Sequence, residues 1–391
     1  MKLNIKSFSK KRKERKELRL RQIAAEKSAA RLAEGFEGYS QFQLMRIRFK
    51  RNRLAVAGLF VLCFIYFLAI TCEFISPYDP NIVNENMRNT PPRFFHVWDG
   101  GRLRAPFVYG LIESYDEVTF KPLYIVDTDI KYPVRFFMRG DKYKLWNLIP
   151  GDIHLFGVEG EGKINLFGTD QLGRDLFSRC VTGTRVSSSI GFIGVISSFI
   201  IGIVLGGISG YFGGAVDTVI QRIIEFIMGI PTLPLWMALA AAIPPNWPVL
   251  RVYFAILLIL SLVGWTGLAR TVRSKFMSLK NEDYVKAAII SGASDMRIIM
   301  RHMMPMFASH LIASLTLSVP GMILGETSLS FLGIGLRPPA ISWGVLLSEA
   351  QNIRNVALYP WTLIPSIFII VTVMSFNFLG DGLRDVADPY S

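Results

Sequence analysis

Cysteine and histidine are scarce in this chain, with three and four residues among 391. Two of the cysteines, Cys63 and Cys72, fall in or at the end of one apolar run, and Cys180 stands alone, so no disulfide framework is expected. Four histidines without metal-ligand spacing, and no nucleophile–base pattern, leave nothing for catalysis or a metal centre, so neither catalytic residues nor a cofactor are expected. Acidic residues are few at the amino end. Residues 1–53 carry 17 Lys/Arg against 5 Glu, so +12 of the formal +13 precedes the first apolar run. Beside such a run a basic arm reads as a topological anchor, with attraction to lipid headgroups as a weaker reading, and not as a nucleic-acid site. A cleaved signal peptide is not expected, because the basic region is too long and no small-residue cleavage site follows.

Charge of either sign is missing from Leu54 to Cys72, 19 positions, enough for one membrane span at roughly 20 residues per bilayer core. Five more uncharged runs follow, at 186–216, 226–250, 252–269, 302–325 and 355–380. Pro244, Pro245 and Pro248 part the second of these from the third. The pattern predicts an all-α membrane protein with six transmembrane helices. An even number puts both termini on one side, and the basic arm makes that side the cytoplasm. The expected division is a basic arm over 1–53, a first span over 54–75, an extracytoplasmic insertion over 76–185, and a five-helix core over 186–391. The insertion holds 14 basic and 14 acidic residues, and its alternation of aromatic and polar residues predicts strands.

Between two of the spans lies NEDYVKAAIISGASDMRIIMRHMMP, residues 281–305. It reads as helix–Gly–helix. Asn281 is the expected N-cap, and Glu282 and Asp283 place negative charge at the positive end of the first helix. Ala287, Ala288 and Ser291 form a small-residue face. Gly292 ends the first helix and Ser294 caps the second. Met296, Ile299, Met300 and Met303 are expected on one face of that second helix, Arg297 and Arg301 on the other, with Pro305 as its stop.

Some candidates point elsewhere. Gly157, Gly162 and Lys163 match the start of a phosphate-binding loop, but Ile164 stands where Ser or Thr should be, so the match is rejected. Gly202, Gly206, Gly210 and Gly214 recur at i+4 and are expected to pack a neighbouring helix closely. Pro231, Pro234, Pro320 and Pro365 are expected to kink their spans. Glu326 interrupts the fifth run. It is a translocation-path candidate, or interfacial if the bilayer ends near Leu324.

The loop Tyr284–Pro305, with its AA-x3-G, a basic amphipathic helix and proline, resembles the cytoplasmic loop by which bacterial ABC importer permeases dock on their ATPase subunits. RIRFKRNRLAVAGLF, FGTDQLGRDLFSRCVTGTRVSSS, ETSLSFLGIGLRPPAISWG and FNFLGDGLRDVADP are similar to segments of the oligopeptide/dipeptide type of that family. One departure is Lys286, which stands where the family has glutamate. The resemblance implies a type I importer permease (MetI-like) fold with an α+β insertion after the first helix, and an ATPase-coupling loop at 276–305 that includes Ala293. It further implies a bacterial inner-membrane chain that hydrolyses no ATP itself. Its partners would be a second permease forming a heterodimer, two ATP-binding subunits, an extracytoplasmic solute-binding protein and membrane lipid. The cargo implied is peptide, with oligosaccharides, opines or nickel as alternatives. A self-contained ion-coupled transporter is the competing class. It would need acidic residues deep in the spans or inverted repeats, of which Glu326 alone is present.

Overall fold

A computed structural model describes residues 41–99, 101–115, 122–160 and 162–387. Most of the basic arm, 1–40, therefore lies outside the described residues. Residues up to Arg53 form one unit and Leu54 onward another. In the first, α1 covers Gln41–Arg51.

The first apolar run folds as α2, Arg53–Ile70, about 27 Å long at 1.5 Å per residue. A break at Thr71 leads into the one-turn helix α3, Cys72–Ile75. The next segment builds an antiparallel sheet in the order β1-β2-β3-β4, from strands His96–Asp99, Arg102–Tyr115, Pro122–Leu145 and Ile149–Val158. Strand β3 changes partner midway, pairing Pro133 with Phe107 of β2 and Val134 with Val158 of β4. Proline supplies no ladder donor, so it is tolerated where pairing is handed over. Val108, Val134, Val158 and Ile164 form the small core beneath. Strands were expected here, and the described helical content between Ile75 and Asp175 is a single turn at Glu85–Met87.

The long helices begin earlier or end later than the uncharged runs. Helix α4 covers Leu176–Phe212, not 186–216. Its start absorbs the last ten residues assigned to the insertion. The reason is pairing: Arg179 sits inside the helix against Glu349 at 3.0 Å, and Arg185 meets Glu73 at 2.5 Å, so charge does not mark the helix end. The third run is two helices, α5 (Gly214–Met228) and α6 (Thr232–Ala241), bent by 85° around Pro231. Helix α7 covers Val249–Leu279 and starts directly after Pro248. After the short α8, Asp283–Ile290, α9 runs unbroken over Asp295–Phe331. Two short helices, α10 (Trp343–Glu349) and α11 (Ile353–Leu358), precede α12, Ile364–Ala387. Five described helices are long and apolar enough to cross a membrane, or six if the bent α5–α6 pair is one span.

Prolines behave by position. Pro231 marks the bend, and Pro320 lies inside α9. Pro365 falls in the first turn of α12, where a missing N–H deletes no helical bond, so it need not kink the helix.

Three of the four predicted packing glycines lie on one seam. A Cβ on Gly202 would stand 3.1 Å from the Trp265 carbonyl oxygen, on Gly206 2.5 Å from that of Ala269, and on Gly210 2.6 Å from that of Arg273. Helices α4 and α7 thus touch backbone to backbone along an i+4 ridge. Gly214 does not belong to this seam. The helix ends at Phe212, so the spacing runs past it, and Gly214 sits at φ 59° with open space around its Cβ position. Gly206→Ala should therefore lower the thermal stability of the detergent-solubilised protein by about 1–3 kcal/mol through overpacking. Gly214→Ala should cost about 1 kcal/mol, from backbone conformation alone. Equal melting temperatures for the two variants would refute the seam.

Candidate functional sites: the helix–glycine–helix loop and a buried carboxylate

The N-cap position of the first loop helix, α8, is held by Glu282 and not by Asn281, and its side chain makes no capping bond. Its carboxyl end closes as predicted. Gly292 takes φ 75°, its N–H donates to the Ile289 carbonyl at 3.0 Å, and the Ala293 N–H reaches the Ala288 carbonyl at 3.1 Å. That pair of bonds is the Schellman closure, which needs a residue tolerant of positive φ. Ser294 takes the N-cap position of α9, although its hydroxyl makes no capping bond.

Pro305 does not stop the second helix. The backbone opens to a π turn over Ile298–Met303, tightens to 3-10 over Met304–Phe307 and continues as α-helix to Phe331. A proline ring collides with the carbonyl four residues back, and the widened turn before it removes that collision. This also changes which residues face inward. A π turn brings i and i+5 together, so Ile298 and Met303 are buried, whereas Met296 and Met300 are exposed. The expected face of Met296, Ile299, Met300 and Met303 is therefore split.

The inner side of the loop is anchored. Val285, Ile298 and Met303 pack with Tyr211, Val272, Phe276 and Phe307. The Tyr211 hydroxyl donates to Asp295 Oδ1 at 2.6 Å, and Lys280 Nζ donates to the Tyr211 carbonyl at 2.7 Å. The outer side is bare. Tyr284, Ala287 and Arg297 are exposed beside Ile289, Met296 and Met300, and Ile290 is 87% exposed. Lys286 pairs at 3.6 Å with Asp283 one turn away, and a solvated pair of this kind adds little stability.

Glu326 is 0% exposed. Its carboxylate accepts from Ser342 Oγ at 2.7 Å, Ser330 Oγ at 2.8 Å and Ser187 Oγ at 3.2 Å. Each hydroxyl in turn accepts a backbone N–H: Val345 on Ser342, Leu336 on Ser330 and Trp343 on Ser187. The arrangement ties α9 to α4, to the cap of α10 and to the loop between α9 and α10. In this conformation the side chain is enclosed within a knot.

A second polar cluster was not singled out from sequence. Arg174 reaches Asp170 at 2.7 Å and Glu349 at 2.8 Å, and the buried Arg179 reaches Glu349 at 3.0 Å. Asp175 caps α4 by accepting from the Ser178 N–H at 2.7 Å. Burial pushes the Asp175 carboxyl up to about 6, against the lowering effect of the Ser178 and Asn165 donors. At the far end of α2 burial also opposes ionisation of Glu73, but the Arg185 guanidinium outweighs it and holds the carboxyl below its ordinary range. The available signal was D-x3-RD-x3-R immediately before a long apolar run, since charges placed there must pair.

Gly157 lies in strand β4, an irregular segment follows, and Lys163 lies over the Tyr78 ring at 5.7 Å. No group of three or more His, Cys, Asp or Glu that could hold a metal occurs among the described residues.

Long apolar helices, tied internally by buried polar knots and carrying a projecting helix–glycine–helix element, define a multi-pass membrane transport subunit. Residues 202–390 match the family model of the binding-protein-dependent transport system inner membrane component, and residues 40–92 match the N-terminal TM domain of oligopeptide transport permease C. The chain is 31% identical to the dipeptide transport system permease protein DppC of Bacillus subtilis, over 88% of this chain and 83% of that one. It is 34% identical to the oligopeptide transport system permease protein OppC of Haemophilus influenzae, over 90% of each. With OppC of Escherichia coli the identity is 39%, over 57% and 72%. Among solved structures, an inward-facing MetNI methionine ABC transporter chain aligns with a TM-score of 0.43 at 18% identity, covering 54% of this chain and 97% of that one. The chain belongs to the oligopeptide/dipeptide type of ABC importer permeases; it is a transport subunit, not an enzyme.

The knot makes a sharp expectation. Glu326→Ala leaves three buried hydroxyls without their acceptor and should cost about 3 kcal/mol of stability, whereas Glu326→Gln keeps one oxygen and should cost about 1 kcal/mol. Melting of the purified protein tests this. If Glu326→Gln melts like the parent but abolishes uptake, the residue acts on the transport path and not as a tether.

Proposed function

We propose that this chain carries peptides across the bacterial inner membrane as one of two permease subunits. Two ATP-binding subunits would drive it, and an extracytoplasmic binding protein would load it. In this reading the bent α5–α6 pair is one span, which makes six, with both termini and the loop 276–305 in the cytoplasm. The segment from Ser76 to Asp175 lies outside, where it receives the binding protein or covers the opening. ATP hydrolysis belongs to the partner subunits. The peptide cargo rests on the names of the relatives. The same machinery would carry an oligosaccharide, opine or nickel if its binding protein delivered one.

The observation that carries the coupling role is the two-sided loop. Its inner side is packed on the ends of α4 and α7, and its outer side presents Ile289, Ile290, Met296 and Met300 with Arg297 and Arg301. An apolar patch with a basic rim is what a docking surface needs. Because α9 begins inside the loop and continues to Glu326, displacement of the loop by a closing ATPase pair would be delivered directly to the buried knot. Transport would then proceed by alternating access without any covalent step in this chain.

Gly292→Pro should abolish the loop, since proline cannot adopt φ 75°. Ala287→Glu adds charge to an exposed face and should leave the fold intact while weakening ATPase association at least about tenfold, or 1.4 kcal/mol. Co-purification of the ATPase subunits and uptake of a labelled tripeptide are the two measurements. Unchanged association and uptake in both variants would refute the coupling role. Solute accumulation by the lone chain in vesicles, driven by an ion gradient, would favour the self-contained transporter instead.

A further inference from the structure

Exposed apolar residues occur along all four strands of the sheet. One group surrounds the β3–β4 hairpin tip, where Leu145–Gly151 (LWNLIPG) carries no charge between Lys144 and Asp152. Leu148 is 81% exposed, and Trp146, Ile149 and Phe137 are exposed with it. The tip is pinned at a definite depth. The Trp146 indole Nε1 donates to the carbonyl of Ile70, the last residue of α2, at 3.0 Å. Arg185 stacks on the same indole with its guanidinium carbon 4.4 Å from the ring centroid, and its Nε donates to the Ala69 carbonyl at 2.8 Å. Phe137 lies 6.2 Å from Phe74 just beyond the end of α2.

We infer that this hairpin tip is a foot set into the lipid headgroup layer beside the end of α2. The inference rests on the membrane placement of α2 and not on the peptide cargo. Three observations favour lipid as the occupant. The exposed stripe Phe60, Phe64, Phe67 and Ile70 runs along α2 and leads to the tip, so the foot continues an exposed apolar face of a helix long and apolar enough to cross a membrane. The depth of the tip coincides with the end of an apolar span, where amphipathic indoles concentrate. The third is backbone conformation. Trp146 and Asn147 both take positive φ, 55° and 57°, in a tight turn closed by the Leu148 N–H on the Leu145 carbonyl at 3.0 Å. Asparagine suits that turn, but a bulky indole does not. A costly rotamer-bearing residue held there is explained if the indole has to sit at the boundary between water and lipid.

The test uses the full chain assembled with its partner subunits in nanodiscs of phosphatidylethanolamine and phosphatidylglycerol. Leu148→Cys, in a Cys63→Ala background, is labelled with an environment-sensitive fluorophore; the two remaining cysteines are buried. Leu103→Cys at the distant start of β2 and Phe64→Cys on the lipid-facing stripe serve as references. Lipids bearing a nitroxide high on the acyl chain should quench the label at 148 at least about twofold more than at 103, with 64 quenched by nitroxides placed deeper. Equal quenching at 148 and 103, with 64 still quenched, overturns the inference. Protection of 148 from aqueous iodide only on adding the solute-binding protein also overturns it, and assigns the tip to a protein contact.

Discussion

A carboxylate enclosed among apolar helices is costly unless every acceptor site is used. Around Glu326 the chain supplies hydroxyls from three places, Ser187 in α4, Ser330 one turn along α9, and Ser342 at the cap of α10. Because each serine also takes a backbone N–H, the satisfaction of one carboxyl group fixes the path of the irregular segment between Leu332 and Trp343. Trp343, fully buried, then fills the space beside it and donates its indole N–H to the Cys180 carbonyl. Had any one of these hydroxyls been replaced by an apolar group, two neighbours would lose a partner at once.

This constraint gives mechanical meaning to the continuity of α9. From Asp295 to Glu326 the helix rises about 46 Å at 1.5 Å per residue, and one end lies in the exposed loop while the other enters the knot. Pro305 would normally interrupt such a rod. The π turn before it and the 3-10 turn that contains it absorb the lost bond and the steric collision over ten residues, Ile298–Phe307, without ending the helix. The seam of Gly202, Gly206 and Gly210 acts on α4 and α7, since backbones in direct contact have little room to slide past one another.

Much of this could be read from residues alone, and the failures share a cause. The Gly292 turn and Glu326 as an anomaly are local matters of backbone conformation and hydropathy. The residue that caps α8 shifted by one, from Asn281 to Glu282, because boundary residues compete on nearly equal terms. The inward face of α9 differs from expectation because a period of 3.6 does not hold through the π turn that precedes Pro305. Gly214 was grouped with its predecessors by spacing, although a helix that ends at Phe212 cannot extend the face. The ion pairs Arg179–Glu349 and Arg185–Glu73 join residues more than a hundred positions apart, and a charge-free run cannot reveal that a charge is neutralised from elsewhere.

Those pairs also decide where the subunit can yield. The amino end of α4 is held to α10 by Arg174, Arg179 and Glu349, its middle by the serine knot, and its carboxyl half by the glycine seam on α7. A helix tied at three levels moves with its neighbours as one body. The α5–α6 pair is tied differently: it hinges at 85° on the sequence Gly229–Pro231, and it is joined to α4 through Gly213 and Gly214, both at positive φ with open space around their Cβ positions. It is also bound to the block along its length: Ile220 and Ile224 are buried with Trp265 and Ala269, Ala240 lies in the main apolar core, and Arg273 grips Asp217 through two hydrogen bonds of 2.5 Å. The long helices, bound by buried polar contacts that must break together, transmit displacement instead of absorbing it.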